Sequence, residues 1–578
     1  MQTLDWLIVG GYCLLVTVVA MAFRHRAEGG TEDYFLSGRK LPWWLAGTSL
    51  AATAFSADTP LLITGLVRKN GIAGNWHWWF LALASVASLF FFARLWRRAH
   101  ILSDMEFIEF RYGRGPGAAL RGTKALLIGV LFNAYALGAW PVLGLTKILE
   151  EVTDWTKWKA VVFCSVLALV YTAFSGLWGV VVADFIHFVC AIGGAFLLAF
   201  FVIRSAGGFG GFWEKIHELP QAAFFPSHTP GNFWESPWIF FLSLVLIQWW
   251  ARGVEGDGVA VQKLSACKNE KESFYAMLWF NIAHYALRPW PWILVGLASI
   301  VMLPTVTDSL GVVDHERAYP RMIMAVVPVG FRGVMIASLF AAYMSTVDSL
   351  LNWGSSYVVN DLYRRFVRKD RSPSHYVWVG RVATVCLMAG GGVVALLTTS
   401  IVATFYNVLM VFSGVGLVGI ARWFWWRVNA WSEITAMIAS GVLTLLASPI
   451  ARLLGLPDAR PIYLIIVVTG STILWLLVTF LTKPTDKKDL VLFYERVRPA
   501  GPGWRPIKRE IADLGPPDSL WLNFAGWVMG VLLILGAAIA IGKGLMGMWS
   551  HSIIAAVVGV VGLMGFLAVM RKMKWGDS

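Results

Sequence analysis

The runs WVMGVLLILGAAIAI (Trp527–Ile541) and IIAAVVGVVGLMGFLAVM (Ile553–Met570) decide the class of fold. With their flanks, each is long enough to carry a helix across roughly 30 Å of hydrocarbon. Both are continuous rather than alternating, which speaks for helices and against a transmembrane barrel. Working outward, similar runs lie near 5–23, 42–66, 75–93, 118–149, 158–176, 180–203, 236–262, 273–304, 331–360, 376–399, 401–425, 431–454, 461–481, 518–541 and 549–571, about fifteen spans. The composition agrees. Of 578 residues 57% are hydrophobic and 14% charged, with mean hydropathy +0.65, whereas soluble domains carry about a quarter charged residues. The expectation is an all-α polytopic membrane protein.

A formal net charge of +14 would suggest nucleic acid as a partner for a soluble protein. Here the basic residues stand in short clusters between apolar runs, as the positive-inside rule expects, so the partner is the lipid bilayer and not nucleic acid. The first run, Trp6 to Phe23, is preceded by Asp5 and followed by Arg24, His25 and Arg26. That order is the reverse of a secretory leader, so the run stays as a helix with its N-terminus outside. Every second loop is then cytoplasmic and basic, from Arg24/Arg26/Arg39/Lys40 and Arg94/Arg97/Arg98/Arg111 to Lys483–Arg509 and the tail Arg571/Lys572/Lys574. Arg68 and Lys69 are an exception, a basic pair on the outer side. The reading is a multi-pass protein of the cell inner (plasma) membrane with its C-terminus inside. The segment Thr482 to Pro517, basic and holding Pro and Gly, reads as a solvated cytoplasmic linker near anionic lipid. The run Trp423 to Trp426 beside Arg427 reads as an interfacial aromatic belt.

Enzyme chemistry finds no foothold. The sequence has no nucleophile elbow, no H-E-x-x-H, no P-loop and no Cys/His metal cluster. Its five cysteines, Cys13, Cys164, Cys190, Cys267 and Cys386, are scattered and read as buried thiols. The chain is not expected to be an enzyme or to hold a cofactor.

Three ordered stretches carry a family likeness. Asp33-Tyr34-Phe35-Leu36-Ser37-Gly38-Arg39-Lys40-Leu41-Pro42-Trp43-Trp44, followed by Ser49-Leu50-Ala51-Ala52, resembles the entry to the first core helix of the sodium:solute symporter family. Ala341-Ala342-Tyr343-Met344-Ser345-Thr346-Val347-Asp348-Ser349-Leu350-Leu351-Asn352 resembles that family's eighth core helix, and Leu177-Trp178-Gly179-Val180-Val181-Val182-Ala183-Asp184 its fifth. The resemblance covers roughly residues 5 to 430. It implies an inverted-repeat, five-plus-five helix transporter core with one extra N-terminal helix and about four extra C-terminal helices. The corresponding division is 1–41 for the extra helix and loop, 42–203 for the first repeat, 204–235 for an external loop, 236–430 for the second repeat, and 431–578 for the C-terminal helices with loop 482–517. In agreement, Pro60 and Gly65 are expected to weaken the first core helix, and Gly253, Gly256 and Gly258 the sixth.

By the same resemblance, a sodium ion would take carbonyl oxygens of Ala52, Phe55 and Ala342 and the hydroxyls of Ser345 and Thr346. Read alone, those hydroxyls also suit bonds back to their own helix. A second sodium is implied at Asp184, Thr346, Asp348 and Ser349. An intramembrane carboxylate costs about 3 kcal/mol and wants a cation or a partner, although Asp184 also fits a hydrated helix end. The polar residues near the family's solute positions are Thr59, His77, Asp257, Arg288, Tyr406 and Asn407. His77 and Asp257 depart from the sugar-binding pattern. An acid and a base facing one cavity suit a zwitterion or polar metabolite, and Asp257 and Arg288 equally suit pairing with each other. Trp76, Trp78 and Trp79, with Trp249 and Trp250, suit either a wall for a cationic solute or packing.

The resemblance thus implies a sodium-coupled symporter importing a small organic solute by alternating access, with sodium as the coupling ion. Proton coupling through Asp184 or Asp348, uncoupled flux and a transporter-like sensor are the other readings. No oligomeric state follows from the sequence.

Overall fold

A computed structural model describes residues 1–22, 39–101, 103–172, 177–217, 219–226, 233–256, 258–511 and 518–575, with only the backbone at 20–22 and 177–182. Residues 33–38 of the first family-like stretch, and Asp257, lie outside the described residues. The helices used below are α1 (Thr3–Ala22), α2 (Trp43–Thr53), α3 (Asp58–Asn70), α4 (Ile72–Ala99), α5 (Asp104–Tyr112), α6 (Arg114–Val152), α7 (Lys157–Thr172), α8 (Leu177–Ser205), α9 (Pro237–Ala251), α10 (Gly258–Ser265), α11 (Glu270–Met302), α12 (Ala318–Val326), α13 (Phe331–Val367), α14 (Pro373–Leu397), α15 (Ile401–Phe412), α16 (Gly416–Phe424), α17 (Ala430–Leu453), α18 (Arg460–Leu481), α19 (Lys487–Val497), α20 (Leu520–Leu545) and α21 (Trp549–Lys572).

Each of the apolar runs carries a helix. Ten helices among the described residues are long and apolar enough to cross a membrane, or twelve with the bent pairs α2/α3 and α15/α16 each counted as one span. The remaining runs are α1, α7 and α9, which fall short of that measure. Leucines such as Leu445, Leu453 and Leu481 are more than four-fifths exposed. On helices of this length, such apolar faces belong against lipid.

The chain forms two compact units, residues 1–75, 125–225 and 282–404 in the first, and 76–124, 226–281 and 405–578 in the second. In the first, α13 packs along α8 and α1. The tie from α1 is specific, because the Asp5 carboxylate accepts the Gly330 and Gly333 N–H groups at 2.8 and 3.0 Å. It thereby caps the N-terminus of α13 from a distant part of the sequence.

Both weakened helices are broken, but not all of the expected residues do it. Between α2 and α3 the axis turns by 63°, and the break falls at 54–57, ahead of Pro60. That proline is the third residue of α3, within the first turn, where a missing N–H costs nothing. Gly65 lies inside α3, pressed against Glu316, where an added Cβ would come within 3.2 Å of its Cγ. The other break follows α9, where Gly253 and Gly256 hold φ of +105° and +98°, values that L-residues rarely adopt.

Arg68 belongs to the basic pair that departs from the expected alternation of loop charge. It is buried, and its guanidinium donates to the carbonyls of Ser299 (2.5 Å), Leu303 (2.8 Å) and Pro304 (3.1 Å). It therefore caps the C-terminal end of α11 and is not a surface charge that topology would sort. Nearby, His315 accepts from Arg68 at 3.4 Å, and burial with the charges of Arg68 and Lys69 holds its imidazole below the ordinary 6.5.

In the second unit, two expectations are corrected. Segment 482–511 is not a solvated linker. Leu490, Phe493, Tyr494, Val497, Trp504 and Ile507 are buried in one apolar cluster with Trp96, Phe107 and Trp423. The amphipathic spacing of α19 supplies this inward face. Arg111 lies among the aromatic rings, 5.2 Å from the Phe493 centroid and 4.9 Å from Trp504, and donates to the Arg422 carbonyl at 2.9 Å. Trp423, read as part of a membrane belt, is fully buried in the same cluster, with its ring 4.5 Å from Phe107.

Two outcomes follow. Phe493→Ala should remove about 3–5 kcal/mol of packing and raise amide hydrogen exchange across 482–511; unchanged exchange there would show that the ring does not hold the segment. For His315, the unfolded chain takes up a proton near 6.5 while the folded chain resists it. Its contribution is therefore complete above that pH and is lost as the pH falls below it. His315→Gln should flatten the acid side of the melting-temperature profile measured in detergent between about pH 7.5 and about pH 5.

Candidate functional site

The break between α2 and α3 ends one helix and starts another within the span, so carbonyls around 52–55 lack the N–H groups a continuous helix would offer. Phe55 N–H still reaches back to the Ala52 carbonyl at 3.1 Å. The carbonyls of Phe55 and Thr53 instead meet α13, where the Thr346 hydroxyl lies 2.9 Å from the first and 3.1 Å from the second. Thr346 thus reaches across to the break rather than back along its own helix. Ala342 lies one turn earlier on α13 and is buried, as are Ala52 and Phe55.

Ser345 points to α8, where its hydroxyl donates to Asp184 Oδ1 at 2.5 Å, and Ser49 of α2 donates to Asp184 Oδ2, also at 2.5 Å. Asp184 is 1% exposed, so it is not a hydrated helix end. On the next turn of α13, Ser349 Oγ lies 3.4 Å from Thr53 Oγ1, and Asp348 accepts from Asn352 at 3.0 Å. Ser49, Thr53, Phe55, Asp184, Ser345, Thr346 and Ser349 therefore lie along contacts that join α2, α8 and α13, while Asp348 is bonded to Asn352 of its own helix. Ser49 and Thr53 were not among the expected ligands. Their signal was a pair of hydroxyls four residues apart on α2, which places them on one face.

The oxygen donors along these contacts suit a hard cation. They comprise backbone carbonyls, hydroxyls and the buried carboxylates of Asp184 and Asp348. Among the described residues no group of three or more His, Cys, Asp or Glu side chains forms a transition-metal cluster.

Arg288 supports the break from behind. It is fully buried, donates to the Ala51 carbonyl, and lies 3.0 Å from His284 Nδ1. Its guanidinium stands 4.7 Å from the Phe55 ring centroid, and Phe55 stacks on Trp292 at 5.2 Å. A cation at the C-terminal end of α2 is favoured by the helix dipole. Thr59, on the first turn of α3, is also buried, and its hydroxyl accepts the Ser56 N–H at 3.3 Å.

In the second unit, the Tyr406 hydroxyl and His77 Nδ1 are hydrogen-bonded. Phe240 packs edge-on to His77 at 4.8 Å, and the Arg460 guanidinium lies 3.9 Å from the Tyr406 ring centroid. Asn407 is exposed. Trp76, Trp78 and Trp79 are buried, and Trp249 stacks on Trp527 at 5.0 Å, which is packing.

Comparison with known proteins agrees with this architecture. Sodium/glucose cotransporter 4 of Danio rerio is 23% identical over 597 residues, covering 92% of this chain and 89% of that protein. The mouse protein of the same name is 25% identical over 420 residues, 67% of this chain, and the match spans only 59% of its length. The solved structure of a Na+-coupled sialic acid symporter in a substrate-bound outward-open state superimposes with a TM-score of 0.65 at 20% identity, over 84% of this chain and 99% of that one. That likeness shows the fold that the two chains share. The family model for sodium:solute symporters matches residues 34–439. A match over well more than half of the chain, onto a helical membrane fold of the same kind, makes this protein a member of the sodium:solute symporter family.

Proposed function

We propose that the chain is a sodium-coupled symporter that imports a small organic solute, and that its coupling ion binds where Thr346 meets the α2–α3 break. The observation that carries this reading is the approach of the Thr346 hydroxyl to the Phe55 and Thr53 carbonyls at 2.9 and 3.1 Å. A sodium ion there takes carbonyl oxygens of Ala52, Phe55 and Ala342 and the hydroxyls of Ser345 and Thr346. By bridging the break to α13 it fixes the broken helix in the form that receives solute. Each ligand then raises the affinity of the other by the same factor.

A second ion is proposed at Asp184, Asp348 and Ser349, sharing Thr346 and drawing on Ser49 and Thr53. Asp184 is suited to it, since a buried carboxylate between two hydroxyls gains most from a cation. For the solute, Thr59 beside the break and the His77–Tyr406 pair with Asn407 are the recognition groups, together with Asp257. Arg288 acts by holding the break. The names of the relatives point to sugars and to sialic acid, whereas His77 and Asp257 suit a more polar or charged metabolite. The repeats are placed at 42–203 and 236–430, and the orientation at N-terminus outside and C-terminus inside in the plasma membrane.

Proteoliposome uptake across amino acids, sugars, carboxylates and quaternary amines, with and without a sodium gradient, tests the function. Uptake that ignores sodium and follows a proton gradient would overturn it. In the same assay, Ser345→Ala with Thr346→Ala should raise the sodium concentration for half-activation roughly tenfold or more, since hydroxyl contacts to a charge contribute about 1.5–3 kcal/mol each. An unchanged sodium dependence in that double variant removes the site.

A further inference from the structure

Asp58 opens α3 immediately after the break. Its side chain is 7% exposed, within a membrane span, and its Oδ1 is buried without a hydrogen-bond donor. The Ser56 hydroxyl faces this carboxyl and is likewise buried with an unsatisfied oxygen. On the other side, α6 closes in with bare backbone, for a Cβ on Gly144 would lie 2.5 Å from the Asp58 nitrogen.

The charged groups on the elements packed against α3 do not neutralise Asp58. From segment 315–317, Glu316 faces it as a like charge. That carboxylate is committed to Lys147 of α6 at 2.7 Å and to the Ser400 hydroxyl and the Ile401 and Val402 N–H groups. Lys147 also holds Asp314 at 2.7 Å. Arg317 pairs with Glu150, Glu151 and Asp314, and Arg321 of α12 with Glu151. On α3 itself, Arg68 serves the end of α11 beside His315, and Lys69 is exposed. The stretch 289–302 of α11 has no charged residue, and Tyr319 is the further titratable group on α12.

Burial and the like charge of Glu316 both oppose the ionised form of a carboxylate so placed, with no cationic side chain among those named to offset them. A hard metal ion would want about six oxygens, and two unsatisfied ones are present. A proton needs fewer: it removes the charge and leaves a neutral carboxyl beside the Ser56 hydroxyl. We propose that Asp58 is a proton-binding site built into the hinge of the broken helix, occupied in the packing seen here and emptied when α3 draws away from α6. The proposed sodium carbonyls stand at the other end of the same hinge, so proton and sodium are linked through it.

Infrared difference spectra of the purified full chain in detergent test the site without any transport. Wild type should show the carbonyl stretch of a protonated carboxyl near neutral pH, and Asp58→Asn should lose it. A wild type without that band, or a band that survives in Asp58→Asn, overturns the proposal. Sodium binding read by tryptophan fluorescence should change several-fold between mildly acidic and mildly alkaline pH in wild type and stay level in Asp58→Asn; an unaltered pH profile in the variant overturns the linkage. Should Asp58→Asn lose its melting transition, Ser56→Ala takes its place. Removing a hydroxyl that can donate only to the ionised carboxylate should shift loss of the band to more alkaline pH, and an unshifted loss counts against the site. If wild type binds no sodium at any pH, the sodium reading fails while the infrared band still decides the proton site.

Discussion

Backbone carbonyls that a helix leaves unpaired inside a bilayer must find a partner, and in this protein the break between α2 and α3 delivers them to α13. The Thr346 hydroxyl is that partner. Around this contact the other features fall into place. Asp184 is tied to both sides through Ser49 and Ser345, Arg288 secures the last turn of α2, and Gly144 admits α3 against α6. The constraint is the absence of water: irregular backbone at membrane depth persists only where protein groups or a bound ion satisfy it. A fold that needs an ion or a hydroxyl to complete a broken helix has coupling built into its geometry.

Much of this could be read from the residues. Long apolar runs predicted the helices because a span has to be continuous, and Gly253 and Gly256 predicted a break because their backbone conformation excludes side chains. The Ser345–Thr346 pair was found through its neighbours, since two hydroxyls in an apolar helix are ambiguous by themselves. Ser49 and Thr53 were harder, because their partners lie more than a hundred residues away and the one local sign, two hydroxyls four residues apart on α2, does not by itself tell a site from packing. Pro60 misled in detail. Its presence signals a helix start as readily as a helix break, and the first turn of α3 is where it is tolerated.

The charged and aromatic residues were the least legible. Arg111 and Arg68 look in sequence like loop charges, yet each is buried and engaged with carbonyls or rings. The segment after α18 carries enough charge to pass for a solvated linker, while its apolar residues recur at helical spacing and settle around Arg111. Net charge describes what a segment contains. It does not say which of its faces is turned inward.

The contact made by Asp5 bears on how much of the chain is ancillary. The first helix lies ahead of the residues that the family model matches and would be a natural choice for trimming or for a fusion partner. Its carboxylate, however, holds the opening turn of the helix that bears Ser345 and Thr346. Shortening the protein from that end would loosen the start of α13 from a distance, so the leading segment is a strut and not a dispensable handle.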